Sequence, residues 1–354
     1  MRTFDGMSPE RLMQLIERFG RLRIAVLGDF FLDKYLDIEP SLAEVSVETG
    51  KTAHQVLAVR HSPGAAGTVT CNLAALGVGT LHAVGFTGDD GEAYDLRKDL
   101  VARGCRVDQL ACDPQRLTPT YLKPRDAGDA SLEGEHSRYD TKNRTRTSDA
   151  LIRKIIGSLD ALLPELDAVI VLDQVDEENC GVVTSAVVDA LTSRARRYPK
   201  VVFWADSRRR IKHFRGIIIK ANQFEVVGLE NPLPGDQVDP QRLCEAIGQL
   251  RDTVGAPICA TCGPEGMLVS DPELTRVPGV KLEGPIDSTG AGDSATAGTV
   301  SALAVGATLP EAALLGNLVA SITVQQLATT GTASPRQLLP RLAMWQAQRY
   351  ENRR

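Results

Sequence analysis

The stretch Asp287-Ser288-Thr289-Gly290-Ala291-Gly292-Asp293, followed at once by Ser294-Ala295-Thr296-Ala297-Gly298, feeds a loop into a helix of small residues. Two glycines and an alanine leave the backbone amides of residues 290–292 free of bulk. A helix N-terminus with bare amides is an anion site, because unpaired N–H groups and the macrodipole both favour negative charge. An aspartate inside such a nest is repelled by a bound phosphate. Its placement makes sense if it takes a proton from a hydroxyl beside the phosphate. The same residues also read as a glycine turn with Asp293 as helix N-cap.

Outward from this stretch, short apolar runs alternate with longer helical patterns. Residues 23–28 read as a first buried strand, and 81–84, 168–172, 201–205, 217–219 and 258–261 read the same way. Helices are expected near 66–76, 91–103, 148–162, 178–197 and 239–253, and then at 293–306, 310–327 and 335–349. Such alternation predicts a mainly parallel sheet covered on both faces. Pro310 and Glu311 suit the first turn of their helix. Residues 34–62 and 113–147 break the pattern and are expected to form a small β lid over one edge of the sheet. The chain is therefore read as one domain, 1–354, with two lid excursions. In an open parallel sheet, ligands bind at the carboxyl ends of strands. Asp29, Asp33, Asp173, Asp206 and Asn222 all fall on that rim.

The length of 354 residues fits an α/β enzyme domain with an elaboration. A net charge of −5 gives no global pull towards nucleic acid or anionic membrane. The run Arg208-Arg209-Arg210 reads as solvated surface. Seven cysteines at irregular spacing argue against a disulfide framework, and Cys259 with Cys262 reads as buried small residues rather than a metal or redox pair. Residues 1–20 are charged and helix-like, without the apolar core of a signal peptide or a spanning run. A cytoplasmic protein is the expectation.

At this point the residues resemble a family. Asp287–Asp293 is similar to the D-T-x-G-A-G-D signature of the ribokinase-like (PfkB) carbohydrate kinases. Gly28-Asp29-Phe30-Phe31-Leu32-Asp33-Lys34-Tyr35 resembles the G-D-x-x-L-D-R-Y of its heptose-phosphate kinase branch, and 63–77 resembles that branch's P-G-G-A-A-N-V-A-x-N-I-A-x-L-G. Residues 85–91, with Gly104, follow the family's first signature region. Asn222-Gln223-Phe224-Glu225 matches N-x-x-E, and Thr261-Cys262-Gly263-Pro264-Glu265-Gly266 matches T-x-G-x-x-G. The likeness runs from about residue 23 to 335, with six motifs in order.

The resemblance implies a three-layer α/β/α fold with a mainly parallel central sheet and a β lid. It implies transfer of the ATP γ-phosphoryl group to a hydroxyl of a sugar or sugar phosphate. Asp293 is then the general base, and the Gly290, Ala291 and Gly292 amides hold the moving charge. Asn222 and Glu225 position Mg²⁺ through water. Thr261, Gly263 and Gly266 form a ledge for the nucleotide, with Asn317 placed among the nucleotide contacts. Asp29, Asp33, Gly64, Ala65 and Thr68 fall at sugar-binding positions, while Lys123 and Arg138 are placed to meet a substrate phosphate. The alternatives are helical-turn spacing for Asn222 and Glu225, a capping role for Asp29, and ordinary charged surface for Lys123 and Arg138. The lid implies a homodimer.

The chain departs from the pattern in the sugar loop, where Ala65 replaces a glycine and Thr68 replaces an asparagine. The sugar therefore either differs or loses a contact. Residues 329–334 only loosely match the loop that, with Asp287, holds K⁺ in many members. The chain ends near the kinase boundary, so no nucleotidyltransferase domain is expected to follow. A nucleoside kinase, or a silent member that binds sugar or nucleotide, are the alternative functions.

Overall fold

The computed structural model describes residues 1–129, 134–233, 235–327 and 330–351. The chain opens with β1 (Arg2–Thr3), α1 (Pro9–Ile16) and β2 (Arg23–Gly28). Next come the two lid strands β3 (Phe30–Val45) and β4 (Thr52–Ala65), and then α2 (Ala66–Ala75). There follow β5 (Thr80–Thr87), α3 (Gly91–Ala102), β6 (Cys105–Arg106), β7 (Leu110–Cys112), β8 (Thr120–Asp126), β9 (Tyr139–Thr141) and α4 (Asp149–Leu162). The middle holds β10 (Ala168–Asp173), α5 (Ser185–Arg197), β11 (Val202–Ser207), β12 (Ile218–Asn222), α6 (Gln223–Val226) and α7 (Pro240–Val254). The last part is β13 (Ile258–Thr261), β14 (Met267–Val269), β15 (Thr275–Val277), α8 (Ala291–Ala304), α9 (Leu309–Thr323) and α10 (Pro335–Glu351).

The main sheet runs β1-β15-β14-β13-β12-β11-β10-β2-β5-β6, with β7 also on β5. Its centre is parallel, and both faces are covered for a reason visible in the side-chain alternation. Ile24, Val26, Ile170 and Leu172 point into one apolar cluster, shared with α2, α8 and α9. Ala25, Leu27, Val169 and Val171 point into the other, shared with α4, α5 and α7. A strand apolar on both faces must be buried on both, which is what a parallel sheet requires. The first turn of α9 is fixed by a capping box, in which Thr308 and Glu311 satisfy each other's backbone N–H groups.

The lid is a separate four-stranded sheet, β4-β3-β8-β9. The lid extends beyond the expected excursion at about 34–62. The strands start at Phe30 and end at Ala65, paired Phe30↔Ala65 and Asp33↔Ser62, so the lid grows straight out of the core strand. Two further differences concern the sheet's edge and one helix. The antiparallel β14 and β15, with β1, extend the parallel sheet. Helix α5 begins at Ser185, because 174–184 is a loop whose amides bind a buried carboxylate, described below. Among the described residues, no helix is long and apolar enough to cross a membrane.

Candidate active site

The carboxyl ends of β11 and β12 meet the N-terminus of α8. Gly290 caps that helix with φ +74°, a left-handed conformation that side chains resist. The Ala291 amide donates to Ser288 O at 3.1 Å and is spent in the turn. The expected trio of free amides is therefore corrected: among the described residues, those of Gly290, Gly292 and Asp293 meet no protein acceptor. Gly292 has a second reason to be glycine. A Cβ there would lie 2.8 Å from Lys220 Nζ.

Lys220 is the residue that sequence reasoning missed. It is buried within β12 and pairs with Asp206 of β11 at 2.7 Å. Burial works against its charge, but Asp206, Glu225 and Asp293 hold its pKa raised. The available signal was a lysine at the end of the apolar run Ile217-Ile218-Ile219, since a lone cation in a buried strand needs an acid or a ligand.

Asp293 has its pKa pushed up to about 7. Burial is the largest cause and repulsion from Asp206 the next, with Lys220 and Arg208 opposing and Asp33 adding. A carboxylate poised there can take a proton from an alcohol and return it within the neutral range.

Asn222 and Glu225 form a capping box at the end of β12. Asn222 Oδ1 accepts from the Phe224 and Glu225 amides at 2.9 Å each, and Glu225 Oε2 accepts from the Asn222 amide at 2.7 Å. Among the described residues the second Glu225 oxygen has no hydrogen-bond partner, and burial raises this carboxyl against the opposing pull of Lys220. Both residues line a cavity of 480 Å³ with Phe224, Arg208 and Arg209. Among the described residues, no group of three or more His, Cys, Asp or Glu forms a metal cage.

Thr261 ends β13, and its hydroxyl donates to Ala221 O at 3.5 Å. Gly263 and Gly266 flank the following turn with positive φ. Asn317 of α9 is buried. Its buried amide donates to Val277 O at 3.0 Å and Pro278 O at 3.2 Å, tying α9 to β15, so those donors are not available to a nucleotide.

On the lid side, Asp33 pairs with Lys123 at 3.0 Å, and both side chains are nearly buried. Lys123 also donates to the Tyr35 hydroxyl at 3.4 Å and lies over that ring. Gly64 lets the chain pass Asp33, whose Oδ2 is 2.9 Å from where a Cβ would sit. Asp29 differs from its expected sugar role. Its oxygens accept from the amides of Gln174 (2.9 Å), Val175 (3.3 Å) and Val182 (2.7 Å). Burial and repulsion from Asp173 nevertheless raise its pKa to about 6. It is a brace for the loop 174–182.

Ala65 sits at φ +54°, ψ −117°, which accounts for the glycine expected there. The Thr68 hydroxyl donates to Pro63 O at 3.4 Å, and its methyl packs at Gly290. Arg138 is further out, paired with Asp140 at 2.7 Å and stacked on Tyr121 at 4.5 Å. Asp287 Oδ1 accepts from the Thr289 amide at 2.9 Å. Of the loop expected to share a K⁺ with it, Thr329 lies outside the described residues, and Thr330 reaches the lid through Ser62 at 3.0 Å.

The chain is 30% identical over 315 residues to the bifunctional protein HldE of Azorhizobium caulinodans, covering 86% of this chain and 61% of that protein. It is 29% identical over 325 residues to HldE of Pseudomonas fluorescens, covering 90% and 63%. The chain thus spans about six-tenths of the length of these relatives. Its fold matches Escherichia coli phosphofructokinase-2 in complex with fructose-6-phosphate, with TM-score 0.67 and 17% identity over 91% of this chain and 98% of that one. It also matches Arabidopsis thaliana ribokinase complexed with ribose and ATP, with TM-score 0.64 and 15% identity over 91% and 98%. The pfkB family carbohydrate kinase profile matches residues 35–336, and the chain belongs to that family.

Proposed function

We propose that this protein transfers the γ-phosphoryl group of ATP to a hydroxyl of a sugar or sugar phosphate. The observation that carries this reading is the placement of Asp293, a carboxylate raised to about 7, beside unpaired amides at a helix N-terminus. Asp293 takes the proton of the attacking hydroxyl. The Gly290, Gly292 and Asp293 amides, with Lys220 behind Gly292, meet the charge on the phosphoryl group. Asp33 accepts from the acceptor's hydroxyls, and its salt bridge to Lys123 fixes its direction.

The nucleotide lies along Thr261, Gly263 and Gly266. Mg²⁺ would supply charge neutralisation on the triphosphate, and Asn222 with the second oxygen of Glu225 would hold it through water, since the capping box leaves too few protein oxygens for a full shell. Asp287 is the K⁺ candidate. Cysteines without a disulfide among the described residues suit a reducing, cytoplasmic setting.

The lid supports a homodimer. Leu42, Val45, Val47, Leu57 and Val59 are exposed on it, Val47 to 96%. Exposed apolar side chains on the lid strands and their connecting turn invite a second copy. ATP turnover with a panel of sugars, sugar phosphates and nucleosides tests the function. Transfer confined to nucleosides, or to nothing, overturns it.

A further inference from the structure

The run Arg208-Arg209-Arg210 divides when its partners are traced. Arg210 is committed to Asp173, with Nε at 2.9 Å, and to the Val175 carbonyl. Arg209 is paired with Asp176 at 3.4 Å and Glu230 at 3.0 Å. Arg208 has no carboxylate partner among the described residues. Its Nε donates to the neutral side-chain oxygen of Gln174 at 2.9 Å.

That contact is itself anchored, because the Gln174 amide donates to the buried carboxylate of Asp29. The brace at Asp29 thus fixes the loop, the loop presents Gln174, and Gln174 holds one edge of the guanidinium. Arg208 also lines the cavity that Asn222 and Glu225 line. Arg208 stands two residues beyond Asp206, the partner of Lys220. Its field lowers the carboxyl pKa of both Asp293 and Glu225.

Three cations around the site are matched to acids among the described residues. Lys123 answers Asp33, Lys220 answers Asp206 and Arg210 answers Asp173. Among the described residues, Asp293 and Glu225 remain without an ion pair on the acid side, and Arg208 and the exposed Lys212 of the cavity wall remain so on the basic side. A cation that is held by a neutral amide through Nε, and that makes no ion pair among the described residues, is suited to a phosphate with its remaining N–H groups.

We propose that Arg208 is a further catalytic residue, whose guanidinium contacts the phosphoryl group in transit, and that Gln174 is its positioning residue. This rests on the phosphoryl-transfer reading above. The bond from the γ-phosphorus to its bridging oxygen breaks and the bond to the acceptor oxygen forms. The acceptor proton goes to Asp293, and Arg208 carries no proton in the step.

Arg208→Met, Arg208→Lys, Gln174→Ala and the control Lys212→Ala, which changes another cation on the same cavity wall, test this. Arg208→Met is expected to lower kcat by about a hundredfold or more, as for other lost transition-state donors. Its affinity for ATP, read by calorimetry, should fall by about fivefold or more while its affinity for ADP stays within about twofold, because the contact is to the γ group. The acid limb of kcat/KM should move to higher pH, since Arg208 no longer favours ionised Asp293. Arg208→Lys should recover part of kcat, Gln174→Ala should lower kcat with acceptor KM unchanged, and Lys212→Ala should change nothing.

Arg208→Met with wild-type kcat and ATP affinity, or with equal losses for ATP and ADP and an unmoved pH limb, overturns the inference. Wild-type protein that transfers phosphate to no acceptor overturns the underlying function instead. The two failures are distinguishable.

Discussion

Asp293→Asn should separate chemistry from stability. In the folded chain Asp293 keeps its proton up to about 7, against an ordinary value of 3.8. Between those values the folded state binds the proton and the unfolded state does not. The group's contribution to stability is therefore whole below about 3.8 and lost as pH rises through about 7. The difference is about 3 units, or about 4 kcal/mol at 1.36 kcal/mol per unit. Solvent at the open side of the site screens part of this, leaving about 2 kcal/mol. Asparagine is nearly isosteric and has no such dependence. Urea melts of the apo protein should therefore show Asp293→Asn gaining about 2 kcal/mol on wild type between about pH 4 and pH 8. The same variant should lose about a hundredfold to ten-thousandfold in turnover, because an amide cannot accept the proton. In wild type, kcat/KM should fall on the acid side with an apparent pKa of about 7. A variant that loses stability at high pH relative to low, or that turns over at the wild-type rate, refutes the reasoning.

Glu225→Gln keeps an acceptor for the Asn222 amide but removes the charge, so the Mg²⁺ needed for half activity should rise about tenfold or more while acceptor KM moves little; an unchanged Mg²⁺ titration returns the pair to a purely capping role. Ala65→Gly should raise thermal stability by about 1 kcal/mol, since relief of a strained φ of about 1–3 kcal/mol outweighs the entropy of glycine; a lower melting temperature contradicts the strain at that residue. Light scattering at micromolar concentration should give a dimer, and Val47→Glu with Leu57→Glu should give a monomer; an unchanged mass removes the lid from the interface.

The architecture was legible because the physics that selects it is local. Alternating apolar positions in 23–28 and 168–172 serve two buried faces at once, and caps such as Ser148 and Thr308 mark where helices start. The lid's true extent was not legible, because Phe30–Asp33 is apolar enough to belong to either sheet and only the pairing with 62–65 decides. The candidate site was legible where backbone shape is constrained, as at Gly290 and Gly292. It was missed where the meaning of a side chain depends on partners distant in sequence. Lys220 acquires its role from Asp206 and Gly292, and Arg208 is distinguished from Arg209 and Arg210 only by the acids those two meet. Asn317 and Asp29 show the converse, with polar side chains in promising positions spent on backbone groups of neighbouring elements.

The most direct measurement is phosphorus NMR of the wild-type protein with ATP, Mg²⁺ and a panel of sugars and sugar phosphates, run beside Asp293→Asn. The account predicts loss of the γ resonance together with a new phosphate-ester resonance on one class of acceptor, absent with the variant. ATP conversion to ADP and free phosphate without an ester, or ester formation at equal rates by both proteins, contradicts it.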